Sequence, residues 1–361
     1  MESPLGQRLR ELPGPLLLTG HTGFKGTWMT LLLEHLNIPV VGYSLPPEKG
    51  SLFDRSARIG AIPEMFSDIR DYQKLATFIQ HHKPSTIIHM AAQPFVLKSY
   101  KNPLETFEIN VMGTVNVLDI ASKCESVEAI VIVTSDKVYR NNNSGDAFVE
   151  SDPLEGKDPY SASKVATEAV VKAWQNIISD NNRPGIMSVR AGNVIGGGDF
   201  GEDRVVPDLI RGIMEDKKVT IRNPESTRPW QHVLDPLIGY LLSLEKLLCV
   251  NEIKNLNFGP KDKNLTVSQL VEIAIEVFPE LSKYISYIES PTKSVEAKFL
   301  ELDSKLSRDS LGWEPLWNQE EAIKLTFKWW QNYIAKPQAA HDICTDEIKL
   351  YFTLMKLRER K

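Results

Sequence analysis

From Pro15 onward, short apolar runs alternate with longer stretches whose apolar residues recur at helical spacing. The runs Leu16–Thr19, Pro39–Ser44, Thr86–Met90, Ala129–Ser135 and Ile186–Ala191 read as strands, because each is short, apolar and bounded by turn residues. Between them, Gly26–Leu36, Tyr72–His81, Pro103–Lys123 and Tyr160–Asn176 read as helices. This alternation predicts a doubly wound parallel α/β sheet over residues 14–192.

After Gly192 the rhythm breaks into a glycine turn (Gly196, Gly197, Gly198), a short helix at Pro207–Met214 and an arginine-bearing segment from Val219 to Trp230. A helix at Leu234–Leu248, a strand at Asn255–Phe258 and helices at Val267–Val277 and Asn318–Tyr333 come next. A smaller α/β substrate domain is expected over 193–335, with segments that return to the first domain. Residues Ala335–Lys361 read as a surface helix or frayed tail.

Composition narrows the class. The chain has 361 residues, 42% hydrophobic and 25% charged, enough for a large core. A net charge of -5, without a run of basic residues, leaves no footprint for nucleic acid or an anionic membrane. Cys124, Cys249 and Cys344 are odd in number and far apart, so neither a disulfide framework nor a metal site is expected. Met1–Pro13 lacks the apolar centre of a signal peptide, and no later stretch reaches membrane-spanning length without a charge. A cytoplasmic enzyme is the expectation.

Chemistry enters where the first strand ends. It runs into Thr19-Gly20-His21-Thr22-Gly23-Phe24-Lys25-Gly26, which sets three glycines on the turn and opening of a helix. There the turn is tight, the helix packs on the strand, and a pyrophosphate can approach backbone N–H groups. Further on, Tyr160 and Lys164 stand one turn apart, on one helix face. An ammonium beside a phenol lowers the phenol's pKa and makes it a usable base. Ser135, at the end of the preceding strand, can hydrogen-bond the substrate oxygen being oxidised. Asp136 and Lys137 come directly after it, and simple oxidation needs neither. A carboxyl and an amine there can serve as acid and base for eliminating water; the alternative is a loop ion pair.

The Gly-x-x-Gly-x-x-Gly spacing resembles that of the extended short-chain dehydrogenase/reductase family, whose sheet is a Rossmann sheet. That resemblance implies an aspartate, Asp68 beside Ile69, against the adenine, and a strand end at Ala91-Ala92-Gln93 passing the dinucleotide. It also implies a helix with a buried asparagine, Asn110. Alternatively, Asp68 caps the helix before Tyr72 and Asn110 is a core hydrogen-bonder. The second strand ends Gly42-Tyr43-Ser44-Leu45, with no acidic residue for the ribose 2′-hydroxyl, so that rule leaves NAD and NADP open.

Longer segments resemble the CDP-glucose 4,6-dehydratase family. They are Thr134-Ser135-Asp136-Lys137-Val138-Tyr139, Asp158-Pro159-Tyr160-Ser161-Ala162-Ser163-Lys164, Arg190 to Asp199, and Arg228-Pro229-Trp230-Gln231-His232-Val233. The resemblance implies NAD as cofactor, bound along Gly20, Thr22, Gly23, Phe24, Lys25, Gly26, Asp68, Ile69, Ala91, Ala92, Gln93, Asn110 and Thr134, and by Tyr160 and Lys164. It implies CDP-glucose as substrate, oxidised at C4 with Tyr160 as base, dehydrated across C5 and C6 by Lys137 and Asp136, and reduced at C6. The product serves deoxysugar biosynthesis, as for lipopolysaccharide O-antigens. Arg204, Arg222 and Arg228 are candidates for the diphosphate, since guanidinium binds two oxygens at once. Asn193, Gln231 and His232 are candidates for other polar contacts. A homodimer through the helices Pro103–Lys123 and Tyr160–Asn176 is also implied. A 4-epimerase or 4-reductase on the same scaffold, or a non-catalytic dinucleotide sensor, are the competing readings.

Overall fold

The computed structural model describes residues 5–141, 145–178, 184–221, 223–250, 252–287 and 299–359. The apolar runs form strands β1 (Leu16–Thr19), β2 (Val40–Ser44), β3 (Glu64–Phe66), β4 (Thr86–His89), β5 (Ala129–Val133), β6 (Gly185–Ala191) and β7 (Asn255–Phe258). They make one seven-stranded sheet in the order β7-β6-β5-β4-β1-β2-β3. Every neighbouring pair is parallel. Alternate residues feed two cores: Leu16 and Leu18 point into one, Leu17 into the other. A sheet covered on both faces requires such runs of unbroken apolar residues.

The principal helices are α1 (Phe24–His35), α2 (Tyr72–His82), α3 (Gly113–Ser122), α4 (Pro159–Ile178), α5 (Val205–Glu215), α6 (Leu234–Leu247), α7 (Val267–Val277), α8 (Gln319–Ala335) and α9 (Ala340–Glu359). Helices α2, α3 and α4 cover one face of the sheet, and α1 and α6 the other. The strand order reverses between β1 and β4, and the crevice beyond their carboxyl ends is where such sheets bind ligands.

Several expectations change. The strand expected at Asn255–Phe258 is the one that carries the sheet past Gly192, since β7 returns to pair with β6. Strand β3 escapes the sequence pattern because it is three residues long and only partly buried. The helix expected over Pro103–Lys123 is interrupted by a π turn at Glu108–Met112. Of the surface helix and the frayed tail expected after Ala335, the chain forms a helix, α9, and it is docked. Ala340, Cys344, Ile348, Tyr351 and Phe352 make its buried stripe, and His35 of α1 stacks on Phe352 at 4.8 Å. Helix α1 is thus covered by the sheet on one side and α9 on the other, which accounts for the unbroken burial from Gly26 to Leu33.

The glycine turn at 196–198 is a packing device. A Cβ on Gly197 would stand 1.9 Å from the Trp329 ring, and Trp28 Nε1 donates to the Gly197 carbonyl at 2.9 Å.

Candidate active site

The turn after β1 is built for close approach. Gly20 has φ +73, and a Cβ on it would meet the Ala91 backbone at 2.8 Å; a Cβ on Gly26 would lie 2.1 Å from the Gly20 carbonyl oxygen. Gly23 differs: its φ is -74, and it begins α1 without a side-chain cap. No protein group forces glycine there, and the open N–H end of the helix suits an anionic pyrophosphate. Thr22 Oγ1 lies 2.8 Å from Ser44 Oγ. Ser44 therefore stands where the second strand lacks an acidic residue.

Beneath this turn lies a buried relay. Thr19 Oγ1 accepts the Met90 and Ala91 N–H groups at 3.1 and 3.2 Å and lies 2.7 Å from His89 Nδ1. His89 Nε2 reaches Thr114 Oγ1 at 3.2 Å. Burial pulls the His89 pKa down to about 3, with Lys164 adding to the effect, so the ring is neutral. The relay fixes the end of β4 against β1. Asn110 continues it: Oδ1 accepts the Gln93 N–H at 2.8 Å, and Nδ2 donates to the Gln93 carbonyl at 3.1 Å and to Ser163 Oγ at 2.9 Å. Asn110 is thus a core hydrogen-bonder whose π turn joins the β4 end to α4.

Asp68 is not the cap of the helix that follows it. Its two carboxylate oxygens accept from Arg70 at 3.0 and 2.7 Å, and the cap of α2 is Asp71, which accepts from the Lys74 N–H. Ile69 is buried, with its side chain against Gly113.

The chemistry gathers at the end of β5. Ser135 Oγ caps a 3-10 turn over Asp136–Val138 by accepting the Lys137 N–H at 3.2 Å, and it donates to Asp136 Oδ1 at 3.1 Å. Asp136 is buried, its Oδ2 has no hydrogen-bond partner among the described residues, and Lys137 Nζ stands 3.7 Å from its Oδ1. Tyr160 and Lys164 enter from the first turns of α4, both buried. Lys164 Nζ donates to the Val133 carbonyl at 3.2 Å, which ties the helix to the strand end.

One electrostatic expectation is reversed. The Tyr160 pKa is raised, because burial outweighs the opposing influence of Lys137, the Ser135 hydrogen bond and Arg204. Lys137 and Arg204, rather than Lys164, are the cations that work on the phenol. Burial brings Lys164 down to about 8 against the pull of Glu168. It brings Lys25 down to about 7, with Lys164 and Arg204 adding to the effect and Asp136 opposing it. Lys25, Lys164, Lys137 and Arg204 thus gather around Asp136 and Tyr160 in one site. Such a cluster of positive charge favours an anionic ligand.

The second half contributes unevenly. Arg204, at the start of α5, pairs with Asp199 at 2.9 Å and lies over the Phe95 ring at 5.1 Å. Arg228 is buried in a two-residue strand that pairs with Leu265–Thr266, and it donates to the Thr227 carbonyl. Gln231 Nε2 donates to the Phe258 carbonyl at 2.7 Å, while Gln231 Oε1 and Asn193 Oδ1 are buried without protein partners among the described residues. Both remain able to accept from a ligand. His232 is a correction: it is fully buried among Trp28, Trp317 and Glu347, with Nε2 2.6 Å from Glu347 Oε1. It anchors α9 and is not a substrate contact. Arg222 lies outside the described residues. Sequence reasoning missed Tyr240, whose buried hydroxyl has no partner among the described residues and whose ring lies 5.7 Å from Lys25 Nζ. It also missed Glu168, one turn beyond Lys164, which helical spacing alone could have flagged.

Against known proteins, the GDP-mannose 4,6-dehydratase family matches residues 17–326. The CDP-glucose 4,6-dehydratase of Salmonella typhimurium is 38% identical over 328 residues, covering 88% of this chain and 91% of its own length. A dTDP-glucose 4,6-dehydratase of Xanthomonas campestris is 24% identical over 331 residues, covering 87% and 92%. Among solved structures, a dTDP-glucose 4,6-dehydratase of Streptomyces venezuelae with NAD bound superposes with TM-score 0.77 at 22% identity, covering 90% of this chain and 99% of its own. A UDP-glucose 4-epimerase of Thermotoga maritima does so with TM-score 0.76, also at 22%, covering 89% and 99%. At that identity the superpositions establish the fold, and dehydratase and epimerase fit equally well.

Proposed function

The chain belongs to the GDP-mannose 4,6-dehydratase family, and from that premise we propose that it is an NAD-dependent nucleotide-sugar 4,6-dehydratase that converts CDP-glucose to CDP-4-keto-6-deoxyglucose and water. The observation that carries the reaction class is the Asp136-Lys137 pair, held on one turn beside Tyr160, with one Asp136 oxygen unengaged by the described residues. An epimerase or a dinucleotide sensor has no need of that pair. The 38% identity to a CDP-glucose 4,6-dehydratase supports the cytidine carrier.

The residues fit the cofactor: Gly20 and Gly26 bring backbones together where a Cβ would clash, and Gly23 leaves the amino end of α1 open. Bound NAD would supply the two-electron acceptor that takes hydrogen from sugar C4 and returns it at C6. Tyr160 takes the C4 hydroxyl proton as the phenolate, the form that Lys137, Arg204 and the Ser135 hydrogen bond favour against burial, with Ser135 hydrogen-bonding that oxygen. The resulting ketone acidifies the C5 proton. Lys137 removes this proton while Asp136 protonates the departing C6 hydroxyl, so that water leaves and the C5–C6 double bond forms. After reduction at C6, a proton returns to C5, and the overall change is loss of water. Arg204 and Arg228 would hold the diphosphate, and Asn193 and Gln231 accept from the ligand.

We also propose a cytoplasmic homodimer that serves deoxysugar biosynthesis. Leu97, Tyr100, Leu104, Phe107 and Met112 are exposed on and beside the helices expected to pair, an arrangement that supports a second copy there. Among the described residues no helix is long and apolar enough to cross a membrane.

Incubation with CDP-, dTDP-, UDP- and GDP-glucose, then with alkali, tests the reading. A conjugated keto sugar should form fastest from CDP-glucose, and in deuterated water the product should carry deuterium at C5. Product without C5 label, or a 4-epimer, would overturn it.

A further inference from the structure

Among the described residues, Glu168 and Arg190 form a buried ion pair in which every carboxylate oxygen is engaged. Arg190 sits in β6 and Glu168 on α4, both nearly inaccessible. Glu168 Oε1 accepts Arg190 Nε at 2.9 Å and Thr134 Oγ1 at 2.6 Å. Its Oε2 accepts Arg190 Nη2 at 2.9 Å and Ser188 Oγ at 2.7 Å. Arg190 Nη1 then donates to Tyr139 Oη at 2.9 Å and to the Glu150 carbonyl at 3.1 Å. Tyr139 Oη donates onward to Asn257 Oδ1 at 2.7 Å, and its ring stacks on Phe148 at 4.9 Å.

The two neighbours of the catalytic turn are what make this arrangement informative. Thr134 immediately precedes Ser135, and Tyr139 comes immediately after Val138, so both ends of the turn that carries Ser135, Asp136 and Lys137 are tied to one ion pair. Glu168 belongs to the helix that carries Tyr160 and Lys164. Burying two charges is seldom repaid in stability against an apolar pair of similar volume. Geometry is what such a pair can supply, and misplacing a catalytic group by about 1 Å can cost about a hundredfold in rate.

We propose that Glu168, Arg190 and Tyr139 form a positioning unit that sets the catalytic turn Ser135–Val138 in register with the helix bearing Tyr160 and Lys164. The unit acts through Thr134 and Tyr139 and touches no substrate atom. Its kinetic signature rests on the dehydratase reading. Lys137 and Asp136 ride on the tethered turn, whereas Tyr160 rides on the helix, so a loosened turn slows elimination more than oxidation.

Glu168→Gln strands the Arg190 charge in the core and tests folding as much as positioning, so the decisive variant is Tyr139→Phe. It keeps the stacked ring and the ion pair and removes the hydroxyl link. The holoenzyme should keep its melting temperature within a few degrees and its KM for CDP-glucose within about twofold. Its kcat should fall roughly tenfold or more, with a larger single-turnover build-up of near-ultraviolet absorbance from reduced cofactor. Amide hydrogen exchange should rise across Ser135–Val138 and stay unchanged in α4. A folded Tyr139→Phe enzyme with wild-type kcat and wild-type exchange in the turn would overturn the proposal, as would a raised KM alone. If the wild type dehydrates no nucleotide-glucose, the reaction assignment fails, and the exchange comparison still decides whether the turn is tethered.

Discussion

Two segments that read as equally rich in motif residues come to opposite ends in the fold. Thr134 to Tyr139 delivers three polar side chains to the cleft: Ser135, Asp136 and Lys137 stand beside Tyr160 at the end of β5. Arg228 to Val233 instead spends much of its polarity internally. Gln231 holds the Phe258 carbonyl, and His232 is sealed beneath α9 with Glu347. The difference lies in what covers each segment. The first stands at the carboxyl end of β5, where polar groups can meet a ligand. The second packs against α8 and is covered by Glu347 of α9, so its polar atoms must find protein partners or remain unpaired at a cost.

The comparison is broken most directly at Tyr160. Tyr160→Phe should lower kcat by about a thousandfold, within the range for losing a positioned proton-transfer group, while cofactor occupancy and melting temperature stay near wild type. Rapid-quench assay of C4 oxidation checks this, and unchanged turnover would remove Tyr160 from the mechanism. Lys137→Ala should cost about a hundredfold in product formation with a different signature. Oxidation at C4 proceeds, elimination stalls, and the near-ultraviolet signal of reduced cofactor persists through a single turnover. If Lys137→Ala makes the 6-deoxy product at the normal rate, the turn's pair is structural, like that of His232.

The buried lysine gives a pH prediction. The Lys164 pKa is about 8 in the folded chain and roughly 10.4 when unfolded. Below about pH 8 both states hold the proton and the penalty for burying the charge is full. Between about 8 and about 10.4 the unfolded chain binds a proton that the folded chain has released, so this group raises stability with rising pH. Denaturant titrations across that window should show the rise flattened in Lys164→Met; an identical slope in the two proteins would refute the shift.

On the internal side, effects should be thermodynamic and small. Tyr351 Oη donates to Asp235 Oδ1 at 2.8 Å, and burial holds that carboxyl up at about 6. Tyr351→Phe should cost about 1–3 kcal/mol of stability, as for a buried acceptor that loses a partner, and leave kcat and KM within about twofold. A kinetic defect with intact stability would mean that α9 communicates with the cleft.

Much of this was legible along the chain because the physical causes are local. Strands buried on both faces must be apolar throughout, a helix must place Tyr160 and Lys164 on one side, Gly20 answers its own positive φ, and Gly26 answers a contact within the same turn. What the linear order could not decide was which polar atoms face water or ligand and which face protein. Helix α9 carried a regular stripe at Ala340, Cys344, Ile348 and Tyr351, yet its partner surface on α1 lies near the opposite end of the chain, so docking and tail looked alike. His232 was misread for the same reason, its partner being Glu347 of α9. The direction of the Tyr160 pKa shift likewise depends on burial, a quantity that spacing does not carry. Residue types and their periodicity determined the sheet, the glycine turn after β1 and the shared helix face of Tyr160 and Lys164; the tertiary structure alone assigned each polar side chain its neighbour, because hydrogen bonds and desolvation act over a few ångströms of space, whatever the separation along the chain.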